Sequence, residues 1–292
     1  MERLATPDFL ASEHGVNTFE DSLFHVIPAP LEQTVSYGSG TQDGPRAILG
    51  ASQQLEVWDG ESKPLELGIH TTKFIDCSTT VENVLQKIRR KTAISLAAGK
   101  IPVLLGGEHS VTIGALQAVN DVFDKPVGLF QLDAHADLRD SYEGSRNSHA
   151  CVARRAHADL GMMLCQFGVR ALCEEEVLYR REHDIAHLDA KIFYQGGAID
   201  DIIPSDFPDN IYLTLDVDGL DPSVIRATGT PVPGGPGWYD TLSVIEKVIK
   251  GRTVIGFDVV ELAPQEEDQA SSFTAAHLVY SVMGFIQRNQ NK

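Results

Sequence analysis

Three short stretches of the chain concentrate side chains that bind divalent cations. GGEHS places His109 after two glycines, Gly106 and Gly107, which suit a tight turn at the end of a strand. DAHADLRD carries Asp133, His135 and Asp137 at i, i+2 and i+4, a period that sets all three on one side of an extended segment. DVDGLDP repeats the i, i+2 spacing with Asp216 and Asp218. Singly, each has an ordinary explanation: a hydrogen-bonded histidine at 109, turn or capping aspartates at 216 and 218. Jointly those explanations fail, because four carboxylates at the ends of buried strands repel one another unless cations neutralise them. Two divalent ions balance Asp133, Asp137, Asp216 and Asp218. Two imidazoles with four carboxylates and no thiolate suit Mn²⁺, Fe²⁺ or Co²⁺, with manganese first. Two such ions, roughly 3.5 to 4 Å apart, lower the pKa of a shared water toward about 7. The chemistry expected is metal-assisted hydrolysis.

The elements that must carry these groups are legible as short apolar runs: IPVLLG from Ile101, PVGLFQLD from Pro126, MLCQFGV from Met163, IYLTLDVD from Ile211 and TVIGFDVV from Thr253. Near-continuous hydrophobicity, rather than alternation, marks strands covered on both faces, as in a parallel sheet flanked by helices. Between them, the stretch from Thr80 to Gly99 and the stretch from Tyr239 to Gly251 have helical periodicity and glycine stops. The pattern is βαβα, and the ligand types fall just after strands, where open α/β sheets place functional groups. Glycine and proline cluster from Tyr37 to Pro45 and from Gly229 to Gly237, the second an ordered loop that lines the entrance to the site or simply connects two elements. No repeat or low-complexity segment breaks the 292 residues, so one domain over 1–292 is expected.

Bulk properties narrow the partners. A net charge of −17 opposes binding to nucleic acid or to an anionic membrane and favours a small cationic ligand. Cys77, Cys151, Cys165 and Cys173 lack disulfide or zinc-ribbon spacing and read as reduced thiols. The opening MERLATPDFLASEHG has no apolar core of a signal peptide, and no run is long enough to span a bilayer, so the cytoplasm is expected.

GGEHS, DAHADLRDSYEGSRNSHA, LTLDVDGLDPS, TGTPVPGG and GFDVVELAP, in that order, together with GSGTQDGPRAIL near Gly38, resemble the ureohydrolases, the arginase and agmatinase family, and are most similar to the agmatinase branch. The resemblance spans the chain. It implies a three-layer α/β/α sandwich with a mainly parallel eight-stranded sheet, and homo-oligomers, often trimers or hexamers. It implies that His109, Asp133, Asp137 and Asp216 hold one manganese and Asp133, His135, Asp216 and Asp218 the other, with Asp133 and Asp216 bridging. It also implies that hydroxide held between two Mn²⁺ attacks a guanidinium carbon. Glu261 of GFDVVELAP occupies the position that faces the guanidinium N–H fork, a planar carboxylate being the natural partner of that cation. Collapse must expel an alkylamine of pKa near 10, which requires a delivered proton; His149 of SRNSHA occupies that position. Asp221, before Pro222, reads as a turn former, and the remaining histidines fall in no motif.

The substrate this implies is agmatine, giving putrescine and urea, because Leu138 to Ser148 lacks the Asn- and Thr/Ser-rich run by which arginases hold an amino-acid head group. One departure bears on it: Ala150, Cys151 and Val152 stand where agmatinases usually have Gly-Thr-Pro. Guanidinobutyrate, an aminopropyl-agmatine and arginine are the alternatives. Two other classes compete: a metal-dependent amide deacetylase, normally with one zinc, and a non-catalytic paralogue, which would be expected to have lost a ligand.

Overall fold

The computed structural model describes residues 6–14 and 17–290. The first five residues of the stretch MERLATPDFLASEHG lie outside the described residues, as do positions 15 and 16. Eight strands form one sheet: β1 (Phe24–Ala29), β2 (Ile69–Thr71), β3 (Ile101–Gly106), β4 (Val127–Leu132), β5 (Met163–Phe167), β6 (Ala186–Leu188), β7 (Asn210–Asp216) and β8 (Thr253–Val260). Their order is β2-β1-β3-β8-β7-β4-β5-β6. Every pairing is parallel, so the sheet is wholly rather than mainly so.

This order positions the site. The chain builds one flank with β1 to β3, crosses to build the other with β4 to β6, then fills the gap with β7 and β8. The strands that precede the three metal motifs, together with the strand leading to Glu261, therefore lie side by side as β3-β8-β7-β4. The crevice outside the carboxyl ends of strands at such a reversal is where open α/β sheets bind ligands.

Alternation along the strands builds a core on each face. In β7, Ile211, Leu213 and Leu215 pack with Phe257 and Val259 on one side, while Tyr212 joins Ile255 and Val260 on the other. Helices cover both faces, completing the three layers. The helix Val81–Ala97 begins after the Thr80 cap and stops before Gly99, whose φ of 69° favours glycine. The helix Trp238–Ile249 ends before Gly251. The 22-residue helix Gln269–Gln290 was not anticipated, since Ala275, Leu278, Val279, Val282, Met283 and Ile286 bury it around most of its girth and blur any amphipathic stripe.

Three strands also escaped the sequence reading. β2 and β6 are three residues each. β1 contains Pro28, which argues against an interior strand, but β2 pairs only with Phe24 to Val26, so Pro28 lies where one flank is unpaired. Among the described residues no helix is long and apolar enough to cross a membrane.

Candidate metal centre

Each ligand-bearing segment is held by backbone contacts that its sequence requires. Gly107 N–H donates to Ala29 O at 2.9 Å, and a Cβ at position 107 would meet Leu31 O at 2.0 Å, so only glycine lets GGEHS turn against the end of β1. Asp133 follows β4, and its N–H donates to Phe167 O on β5. Asp137 and Glu261 have φ values of 52° and 64°, in the left-handed region that side chains other than glycine rarely enter. Both are tied in place: Asp137 O accepts from Arg154 N at 3.0 Å, and Glu261 N donates to Gly107 O at 2.8 Å. Strain concentrated at the ends of central strands is typical of functional positions.

The six expected ligands converge. His109 Nδ1 lies 2.9 Å from Asp137 Oδ2, 3.3 Å from Asp133 Oδ2 and 3.4 Å from Asp216 Oδ2. His135 Nδ1 lies 3.1 Å from Asp218 Oδ2 and 3.5 Å from Asp133 Oδ1. Two triads with ion-holding geometry result, His109–Asp133–Asp216 and Asp133–His135–Asp218. Asp133 is common to both and turns one oxygen toward each. Asp216 joins only the first; its Oδ1 accepts from Asp218 N–H at 2.8 Å.

Their electrostatics show why the protein alone leaves this cluster incomplete. His109 Nδ1 is fully buried and, despite three nearby carboxylates, makes no hydrogen bond. Burial and the Asp133 charge push Asp137 up to about 7. Burial, then Asp218 and Asp133, hold Asp216 well above the usual carboxylate range. Burial carries Glu261 up to about 8. Burial opposes charge on His135, yet Asp133 and Asp218 raise it to about 11. Protons are standing in for missing positive charge. A buried set of two imidazoles and four carboxylates that traps protons in this way fits a pair of divalent cations, which would displace those protons on binding.

A second layer of residues that the sequence reading did not single out orients the ligands. His109 Nε2 lies 2.8 Å from Thr214 Oγ1, which donates to Asp258 Oδ1 at 2.7 Å, and Thr112 Oγ1 donates to the other Asp258 oxygen at 2.9 Å. This relay places the imidazole proton on Nε2 and leaves the Nδ1 lone pair for an ion, as metal-binding histidines require. Strand alternation could have found it: Thr214 is two residues before Asp216, and it is the register partner of Asp258. Gln131 Nε2 donates to Asp133 Oδ2 at 2.7 Å. The Arg170 guanidinium donates to the carbonyls of Gly168, Asp218, Gly219, Leu220 and Val232 at 2.7 to 3.1 Å, lashing the third motif to the 229–235 loop.

A cavity of about 330 Å³ opens beside the cluster, with His135, Asp137 and His149 in its wall. Tyr142 also lines it, edge-on to His149 at 5.8 Å between ring centroids. Thr230 brings the 229–235 loop into the wall, so that loop borders the entrance. Of the residues that depart from the agmatinase pattern, only Ala150 faces the cavity; Cys151 and Val152 are buried. Glu261 is not part of the wall: it is buried, and its Oε1 accepts the His109 N–H at 2.6 Å. Asp221 behaves as a turn former, its carboxylate accepting from the amides of Ser223, Gly234 and Gly235. Among the described residues, a second cleft, between the helices Trp238–Ile249 and Gln269–Gln290, has no His/Asp grouping able to hold an ion.

Comparison with known proteins agrees with this geometry. The family model described as the arginase family matches residues 22–284. The chain is 36% identical to N(1)-aminopropylagmatine ureohydrolase of Synechocystis sp., over 97% of this chain and 95% of that one. It is 33% identical to the agmatinase of Pyrococcus horikoshii, over 92% and 94%. Among solved structures, the agmatine ureohydrolase of Thermoplasma volcanium superposes with a TM-score of 0.86 at 30% identity, covering 99% of this chain and 97% of that one.

Proposed function

The chain belongs to the arginase family, and from that premise we propose that it hydrolyses a guanidinoalkylamine of the agmatine type, with agmatine to putrescine and urea as the first reading. The observation that carries this is the pair of His/Asp triads sharing Asp133 beside an open cavity. A one-zinc deacetylase needs no second triad, and a non-catalytic paralogue has no reason to keep all six ligands. Two ions, Mn²⁺ by donor type, would supply an activated water at neutral pH. The remaining work falls to the protein. Negative charge for a guanidinium, which stays cationic at any physiological pH, comes from Asp137 in the cavity wall; Glu261, the partner that the motif leads one to expect, is buried on the His109 amide and would have to turn from it to meet the N–H fork. His149, whose pKa burial lowers, is neutral at pH 7 and so can collect a proton from the attacking water. It then passes that proton to the departing amine as the C–N bond breaks, so that guanidinium plus water yields alkylammonium plus urea.

A second reading has its own support. The relative at 36% identity acts, by its name, on N(1)-aminopropylagmatine. Either way the reading is of one domain over 1–292, in the cytoplasm, acting as a homo-oligomer such as a trimer or hexamer, with no nucleic-acid or membrane partner. Urea release from Mn²⁺-loaded protein, measured on agmatine, N(1)-aminopropylagmatine, guanidinobutyrate and arginine, tests it. One of the two amines should exceed the two carboxylates by at least about tenfold in kcat/KM. No turnover of any of the four would sink the proposal.

A further inference from the structure

The turn after β3 carries a buried acid that has no part in the metal-ligand cluster. Glu108, the central residue of GGEHS, is completely buried and has no cationic partner among the described residues. Four donors converge on it instead. Gln33 N–H and Thr34 N–H donate to Oε2, each at 2.6 Å, while the hydroxyls of Thr34, at 3.0 Å, and Ser110 donate to Oε1. A carboxylate only accepts, so the single hydroxyl proton of Thr34 is committed to Glu108. The lone pairs of Thr34 Oγ1 then face His149: its backbone N–H donates to that oxygen at 3.1 Å, and its ring Nδ1 lies 3.3 Å away. An oxygen whose proton is spent can only accept from the ring. Ser148 Oγ, 3.4 Å from the same nitrogen, can accept as well as donate and so does not oppose this. The arrangement is satisfied when His149 carries a proton on Nδ1.

We propose that Thr34, backed by the buried Glu108 carboxylate, is a positioning residue that fixes His149 in the Nδ1–H tautomer and leaves Nε2 as the atom that moves protons in the cavity. The inference rests on the proton-delivery reading of His149. In the step itself, Nε2 takes a proton from the attacking water, making an imidazolium whose Nδ1–H remains bound to Thr34. As the guanidinium C–N bond breaks, that proton goes to the leaving nitrogen and the ring returns to its neutral Nδ1–H form. The Glu108 charge, one hydroxyl away, stabilises the transient cation in a water-poor setting.

The test uses metal-loaded full-length protein. Thr34→Val keeps the shape and removes the relay; Thr34→Ser keeps the hydroxyl. With an alkylguanidine substrate such as agmatine, Thr34→Val should lower kcat roughly 10- to 100-fold, the size expected when the bond orienting a general acid is lost. KM should stay within about threefold and metal per chain should not change. Thr34→Ser should recover most of the loss. An electron-poor arylguanidine such as 4-nitrophenylguanidine, whose less basic aniline departs with less dependence on a delivered proton, should show a smaller difference between wild type and Thr34→Val. Equal losses on both leaving groups, or a Thr34→Ser variant no better than Thr34→Val, would mean that Thr34 only packs the loop and would overturn the relay. Full kcat in His149→Ala overturns the role of His149 and the relay with it, whereas a large loss in His149→Ala beside a normal Thr34→Val overturns the relay alone.

Discussion

Replacing Thr214 by Val tests whether an outer hydrogen bond decides how tightly the first ion is held. The hydroxyl accepts from His109 Nε2–H at 2.8 Å and donates to Asp258 at 2.7 Å, all inside the core. Without it the imidazole N–H is buried and unpaired, which costs about 1 to 3 kcal/mol. The ring can escape by moving its proton to Nδ1, but that nitrogen then has no lone pair for a metal. At about 1.4 kcal/mol per decade, the expected loss is roughly 5- to 150-fold in affinity for one ion, in line with the 10- to 100-fold or so typical of outer-shell changes. The assay is to strip the protein, titrate Mn²⁺ back against a fluorescent chelator, and count ions per chain by elemental analysis. One of the two binding steps should weaken, and the other should hold, because His135 and Asp218 do not touch Thr214. Thr214→Ser should restore the weakened step. Two ions bound by Thr214→Val with wild-type affinities would refute the reasoning, since His109 would then need no help to present Nδ1.

Further outcomes follow from the structure. His149→Ala should cut kcat by about 10²- to 10⁴-fold with metal content unchanged, while Asp216→Ala should lower both; equal metal loss in the two variants, read by elemental analysis, would contradict the separate roles given to them. Metal-free protein should melt at lower temperature as pH rises from 5 to 7.5, because folded Asp137, raised to about 7, and Glu261, raised to about 8, hold protons that the unfolded chain has already released above its ordinary carboxylate range. Stability from such raised groups is greatest at low pH and fades as pH climbs through their folded values, so the rise in Tm on adding Mn²⁺ should grow over that window; a flat or opposite trend would count against proton trapping. Gly107→Ala, whose Cβ would collide with Leu31 O, should destabilise the fold by more than about 3 kcal/mol. Gly50→Ala, in the helix Gly44–Ala51 with open space around it, should instead gain about 0.4 to 1 kcal/mol in the same denaturant melts.

What the sequence made legible, and what it hid, divides along a physical line. Metal ligands betray themselves because the ion restricts their chemical type and the strand restricts their spacing: Asp133, His135 and Asp137, or Asp216 and Asp218, can be read as a row without knowing the partner strand. The five strands read directly share that property, being apolar enough on both faces to stand out alone. β2 and β6 are too short to carry a pattern, β1 hides behind Pro28, and the helix Gln269–Gln290 is buried on so many sides that its period fades; for these the resemblance supplied the count of eight strands where periodicity did not. The residues that aim the ligands are hidden for a different reason. Thr214 and Asp258 are unremarkable in type, and only their register across β7 and β8 makes them a relay, so a topology is needed before the alternation rule can find them. Thr34 and Glu108 lie further out of reach: the first sits in an irregular segment, the second was overshadowed by the histidine beside it, and they meet across 74 residues of chain. Side chains that bind an ion must be of few kinds, but a side chain that fixes a tautomer need only offer one oxygen at one place. The second kind of residue therefore becomes visible only when the chain is folded, even though, in the roles proposed above, it decides which atom of His109 would meet a metal and which atom of His149 would move the proton.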